Sequence, residues 1–235
     1  MFRRRFTPFV LVAIALVLAG IAAAAPTDPQ VVLDPIDQSW SESTVLTPTD
    51  LGNGWRETTQ QESGSGGDDS STFCPEANPD QSDLTATGGA ASDFTRGASS
   101  VSSIAIVWRT PEQAQANFER TIAVMPALMN CTAQLFSGSI AGIKITVTAN
   151  RGLQFPALAP RISAYRISLV IKSTGRTKKK RKPTVVNYDT IILGNGRASA
   201  WLFVISDSSR PVSRAKERSL ATALAGRMET DPAGT

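Results

Sequence analysis

Few residues in this chain are equipped for chemistry. Cys74 and Cys131 are its only thiols, and it contains no histidine. Without imidazole there is no Ser-His-Asp or Cys-His catalysis and no His-ligated metal site. A redox thiol pair wants close spacing such as Cys-x-x-Cys. Cysteines 57 positions apart, behind an N-terminus with a basic Arg3–Arg5 run and an apolar Phe9–Ala19 stretch typical of export, read instead as one structural disulfide. In the chain-entropy model, closing a loop of that length stabilises a fold by roughly 4 kcal/mol. An enzyme without histidine would need paired carboxylates or a Ser-Lys pair. Asp68 and Asp69 lie in a Gly/Ser loop, the wrong place for fixed geometry. Asp189 sits in a strand, where a Lys or Arg across the sheet can pair it. Serine and lysine are read as scattered, with no Ser-x-x-Lys opening a helix. The expectation is a non-enzymatic protein with no catalytic residues, no metal site and no cofactor. Two carboxylates, or a serine and a lysine, converging in one buried pocket would reverse it.

The densest charge is a basic run. Lys172, Arg176, Lys178, Lys179, Lys180, Arg181 and Lys182 fall within eleven positions. The plain reading is a solvated hairpin tip whose repulsion keeps an edge from aggregating. The functional reading is docking on an anionic membrane or wall polymer, with each base near such a membrane contributing ~1 kcal/mol. Nucleic acid is not expected as a partner, since no aromatic residue interleaves with the lysines. The glycines of 60–71 are followed by no Lys-Ser/Thr and carry no nucleotide-binding signal. Charge is also split along the chain. Residues 26–100 hold thirteen acids and two arginines, and 101–235 hold seven acids and nineteen bases. Such polarity can hold two halves together or give the surface a dipole.

The elements that must position these residues begin after a targeting segment. Arg3, Arg4 and Arg5 precede an apolar stretch from Phe9 to Ala19, and Ala22–Ala25 offer small-residue cleavage sites. Residues 1–24 are therefore read as a signal peptide cut after Ala24. Ile21 stands where a lipoprotein signal would need cysteine. A retained segment is marginally long enough to anchor the chain in a membrane. The expected location is extracellular, or membrane-anchored where the segment stays. Residues 25–44, rich in Pro, Asp, Ser and Gln, are read as a flexible tether, and 45–230 as one domain. Within it, Thr47 and Pro48 start a single helical turn that Gly52 and Gly54 end. Ser99–Arg109 is a strand. Thr110-Pro-Glu-Gln113 opens a helix with the stripe Ala114, Phe118, Ile122, Met125 and Met129, which Pro126 should kink or end. Residues 143–148 and 161–171 alternate as strands. Two apolar runs flank Gly194-Asn195-Gly196 as a hairpin, and the second, apolar on both faces, belongs inside a sheet. A last helix over 211–228 buries Val212, Ala215, Leu220, Leu224 and Met228. The fold class is α+β: an antiparallel sheet of about five to six strands with two main helices packed on one face.

Leu46-Thr-Pro-Thr-Asp-Leu-Gly-Asn-Gly-Trp55, Cys74 before the first long strand, Trp108-Arg-Thr-Pro-Glu-Gln-Ala-Gln-Ala and Cys131 together resemble a family. It is the secreted sensor-like domains of actinobacteria typified by the extracellular domain of PknH-type receptor kinases. The resemblance runs from Val45 to Met228 and implies a central antiparallel sheet, packed helices and a cleft for a ligand or partner. This chain has no kinase domain, no lipobox cysteine and one possible disulfide where the type domain has two. Its aromatic and proline-pinned residues suggest a cleft lined by Trp55, Phe155, Leu158 and Tyr165. The expected function is an exported sensor-like binding domain at the cell envelope, taking a small ligand or an envelope component of unknown identity. The alternatives are a His-free secreted hydrolase and an anionic-surface docking protein.

Overall fold

The computed structural model describes residues 27–58, 74, 77–140, 143–173, 182–208 and 211–232. Nine strands form one sheet. They are β1 (Gln30–Val31), β2 (Arg56–Glu57), β3 (Thr85–Arg96), β4 (Ser99–Trp108), β5 (Gly138–Ile140), β6 (Ile143–Gly152), β7 (Arg161–Ser173), β8 (Thr184–Asn195) and β9 (Ala198–Asp207). Their spatial order is β1-β3-β4-β9-β8-β7-β6-β5, with β2 also on β3. The β1–β3 pair is parallel and the other pairs are antiparallel. The fold is thus α+β on a mixed sheet, with six strands of ten residues or more and three short ones.

The helices are α1 (Pro35–Thr44), the one-turn α2 (Pro48–Leu51), α3 (Pro111–Phe136) and α4 (Arg214–Arg227). They do not share a face, which corrects the one-face expectation. β9 shows why. Ala198, Ala200, Leu202 and Val204 enter one core with Trp40 of α1, Leu51 of α2, and Leu220, Ala221 and Leu224 of α4. Ile205, with Trp201 packed alongside, enters a second core with Phe118, Met125 and Met129 of α3. A central strand apolar on both faces needs cover from both sides, and β9 lies between β4 and β8 as its composition requires.

The flexible tether is a second correction. Residues 30–44 are folded: Gln30 and Val32 donate backbone hydrogen bonds to Leu84 and Ala86, and α1 follows. The Asp34 carboxylate accepts from the Ile36 and Asp37 amides, and Pro35 opens the helix. This is a sound N-cap in a stretch whose overall polarity suggests disorder. Trp40 then fixes α1 to the core and is 4% exposed. The strand β3 is a further addition. Its Gly88-Gly89 pair allows α1 to cross it closely, because a Cβ on Gly88 would lie 2.3 Å from the Asp37 carbonyl oxygen. The Gln38 side-chain amide donates to the Gly89 carbonyl and accepts from its N–H, taking the place of a neighbouring strand.

Other local expectations divide. Thr110 caps α3 by accepting from the Gln113 amide, but the helix continues through Pro126 to Phe136. The β8–β9 turn consists of Gly196 and Arg197, and Gly196 supplies the positive φ of 51°. Gly194 instead sits in the strand, against the Arg161 guanidinium, where a Cβ would meet Nε at 2.7 Å. Cys74 and Cys131 are joined, with Cα atoms 5.9 Å apart.

Candidate functional site

Acidic and basic side chains meet under α4. Arg166 on β7 stands directly opposite Asp189 on β8. Its Nε donates to Oδ1 at 2.6 Å and its Nη2 to Oδ2 at 2.5 Å, so the cross-sheet pairing expected for Asp189 is present. Glu217 descends on them from α4. It accepts from Arg214 Nη1 at 2.6 Å, and its Oε1 lies 3.7 Å from Arg166 Nη2 without a hydrogen-bond donor. Asp189 and Glu217 are both fully buried. Burial first, and then the neighbouring Asp189 charge, push the Glu217 carboxyl up to about 7, against the pull of Arg214. Glu217 occupies the buried stripe in place of Ala215, which is exposed.

The chemistry this cluster offers is limited by its cover. Paired carboxylates with a raised pKa are what an acid–base hydrolase uses. Here both are sealed between helix and sheet, and both are held by arginines. The arrangement works as a charge-compensated strut between helix and sheet. The expectation about Ser-x-x-Lys also needs correcting, since Ser213-Arg-Ala-Lys216 opens α4. Ser213 is its N-cap and accepts from the Lys216 amide. The Lys216 ammonium donates to the Asp50 carbonyl, which commits it to α2.

A second node forms where the β8–β9 turn meets both ends of the described chain. Arg197 donates through Nη1 and Nη2 to Asp37, at 2.9 and 2.8 Å. It also donates through Nε and Nη2 to Asp231, at 3.0 and 2.9 Å. The hydrogen bonds to Asp231 and Asp37 hold the guanidinium well above its usual value. Burial pushes the Asp37 carboxyl up, but Arg197 and the Thr87 hydroxyl outweigh it and hold it below the usual range. The Arg197 guanidinium lies 5.7 Å from the centre of the Trp40 ring.

Beside this node an open groove of about 890 Å³ runs between α1 and the segment after α4. Pro35, Ile36, Trp40 and Pro232 give it apolar walls, and Ser39, Ser43, Thr230 and Glu229 a polar rim. The Trp40 indole N–H donates to the Arg227 carbonyl, so the ring is locked in place. A smaller recess of about 290 Å³ lies between Pro111, Glu112, Gln115, Pro160, Arg161 and Gly196.

The expected cleft does not assemble. Trp55, Phe155 and Leu158 pack against the α4-side core, whereas Tyr165 packs against the α3-side core. Successive side chains of a strand point to opposite faces, and Tyr165 falls on the other face of β7 from Ala164 and Arg166. Trp55 is capped by Arg96, 4.7 Å from its ring centre. In the basic run, Lys172 and Lys182 are described. Arg176, Lys178, Lys179, Lys180 and Arg181 lie outside the described residues, as do Asp68 and Asp69. Among the described residues no group of three or more acids or cysteines is placed to hold a metal ion. None of the described helices is long and apolar enough to cross a membrane. The disulfide fits an extracellular protein.

No family model matches this chain, and no curated protein matches it. Among solved structures it is similar to the extracellular domain of PknH from Mycobacterium tuberculosis. The TM-score is 0.43 at 6% identity, over 87% of this chain and 100% of that one. It is also similar to the human StarD13 (DLC2) lipid transfer and protein localization domain, with a TM-score of 0.17 at 11% identity, over 62% and 86% of the two chains. At these scores neither likeness carries function. No sequence family stands beside the resemblance built on Leu46–Trp55.

Proposed function

We propose that this chain is an exported, non-enzymatic binding domain of the cell envelope whose ligand lies in the groove between α1 and the segment after α4. The groove carries this reading: apolar walls of Pro35, Ile36 and Pro232, open access and a rim of hydroxyls with the Glu229 and Asp231 carboxylates suit a small or peptide-like envelope component. The cysteine pair and the N-terminal segment support export. The basic run supports a second contact, with an anionic membrane or wall polymer.

A hydrolase is the rival reading, and the convergence of Asp189 and Glu217 favours it. Their complete burial counts against it, because a substrate needs access to both groups. One experiment separates the two. Metabolite and wall-fragment libraries are screened by thermal shift against the native chain and Ser39→Trp, which fills the groove from an exposed position on α1. A ligand that stabilises the native chain and not the variant is expected. A ligand that shifts both equally removes the groove. Turnover of a wall fragment that Glu217→Gln abolishes replaces binding with catalysis.

A further inference from the structure

Val31, Val32 and Leu33 are 67%, 50% and 63% exposed, an apolar strip at one corner of the fold. It cannot turn inward. Gln30, Val32 and Asp34 donate backbone hydrogen bonds to Leu84, Ala86 and Thr87, and Asp34 caps α1. The strip is therefore held outward by the sheet, with its apolar side chains in water.

What covers it is indicated by the chain just before it. Residues 6–25 carry no charge, and Arg3, Arg4 and Arg5 precede them. That run of about twenty uncharged residues, with its apolar core at Phe9–Ala19, is marginally long enough to span a bilayer. It ends six positions before Val31, a link of at most about 20 Å even when fully extended. A folded body on so short a link presents the corner nearest its attachment to the membrane. No lysine or arginine occurs between residues 27 and 55, while Asp28 and Asp34 flank the strip. Its lipid partner is accordingly zwitterionic, since acids on both sides oppose an anionic surface.

We propose that Val31, Val32 and Leu33 rest in the interface of the bilayer that holds the chain's own N-terminal segment. This rests on the export reading and names a partner for the uncut chain. The test uses full-length protein in phosphatidylcholine vesicles doped with a photoreactive phosphatidylcholine, with adducts mapped by mass spectrometry. Lipid adducts at residues 31–33 are expected, with none at Leu135, an exposed apolar residue on α3. The combined variant Val31→Ser, Val32→Ser and Leu33→Ser should lose them with its disulfide and circular dichroism intact. Leu33→Ser alone serves as the milder version. Adducts confined to residues 1–25, equal labelling at Leu135, or chain-to-chain crosslinks through 31–33 would overturn the proposal. So would an exported protein whose intact mass begins at Ala25, a result that leaves the groove and its ligand screen untouched.

Discussion

Glu217 is the residue whose position the sequence conceals and yet contains. Reading the last helix with Ala215 inward places the carboxylate on the surface. Extending the Leu224 and Leu220 stripe back by a three-residue step lands on Glu217 instead. Polarity argues against that choice, and only the arginines brought by β7 and the helix's own first turn make it tenable. Asp189 was more legible, because a carboxylate inside an apolar strand demands a cation across the sheet, and Arg166 is that cation. A pH dependence follows. Glu217 is raised from 4.5 to about 7 in the fold, so the folded chain binds more protons than the unfolded chain between those values. The stabilisation is complete below pH 4.5 and is lost as pH rises through 7. The groups facing Glu217 are Arg166, Arg214 and Asp189. With no histidine in the chain, no side chain of ordinary pKa obscures the effect. Unfolding free energy should fall by about 2–3 kcal/mol between pH 5 and pH 8. Glu217→Gln, whose amide can donate to Asp189 as a protonated acid would, should flatten that slope in urea titrations across the range.

At the level of elements, strong local signals survived and composition misled. The Thr110-Pro111 helix start and the β8–β9 hairpin were readable because each needs only neighbouring residues. α1 and β3 were not, because each makes sense only beside the other. Gly88-Gly89 looks like a loop until a helix lies across it, and Pro35–Thr44 looks like a linker until Trp40 has a core to enter. The placement of α3 and α4 on opposite faces has the same origin, since the stripe on a helix does not record which side of the sheet it meets. The α1–β3 crossing can be tested directly. Gly88→Ala places its methyl group against the Asp37 and Gln38 backbone, which cannot yield as a side chain would. The expected cost is about 1–3 kcal/mol, as for other overpacked contacts. Chemical denaturation should show it, while Gly89→Ala, with open space around the added carbon, should cost less.

Across the whole molecule, the divided charge becomes a set of long-range clasps. Asp37, Asp50 and Asp83 from the acidic half pair with Arg197, Arg227 and Arg120 from the basic half. Lys172 and Lys182, the described ends of the basic run, lie at the opposite end of the sheet from the apolar strip. β8 starts at Thr184, just after the run, and finishes at Asn195, level with Ala198, and through Val107 and Trp108 with the strip's anchor on β3. Twelve residues of strand separate the ends, roughly 36 Å. One flat membrane therefore cannot receive both. Neutralising Lys178, Lys179, Lys180, Arg181 and Lys182 should abolish co-sedimentation with an anionic wall polymer while lipid adducts at 31–33 persist. Loss of both together would refute the two-ended arrangement. Arg197 has a consequence for how the chain is made. It joins position 37 to position 231, and β4 waits beside β3 for β9, which is synthesised almost a hundred residues later. Until β9 is made the sheet lacks its middle strand, and until Asp231 is made the node lacks a carboxylate. A nascent polypeptide in that condition stays threadable, which is the state a secretion pore requires of its passengers.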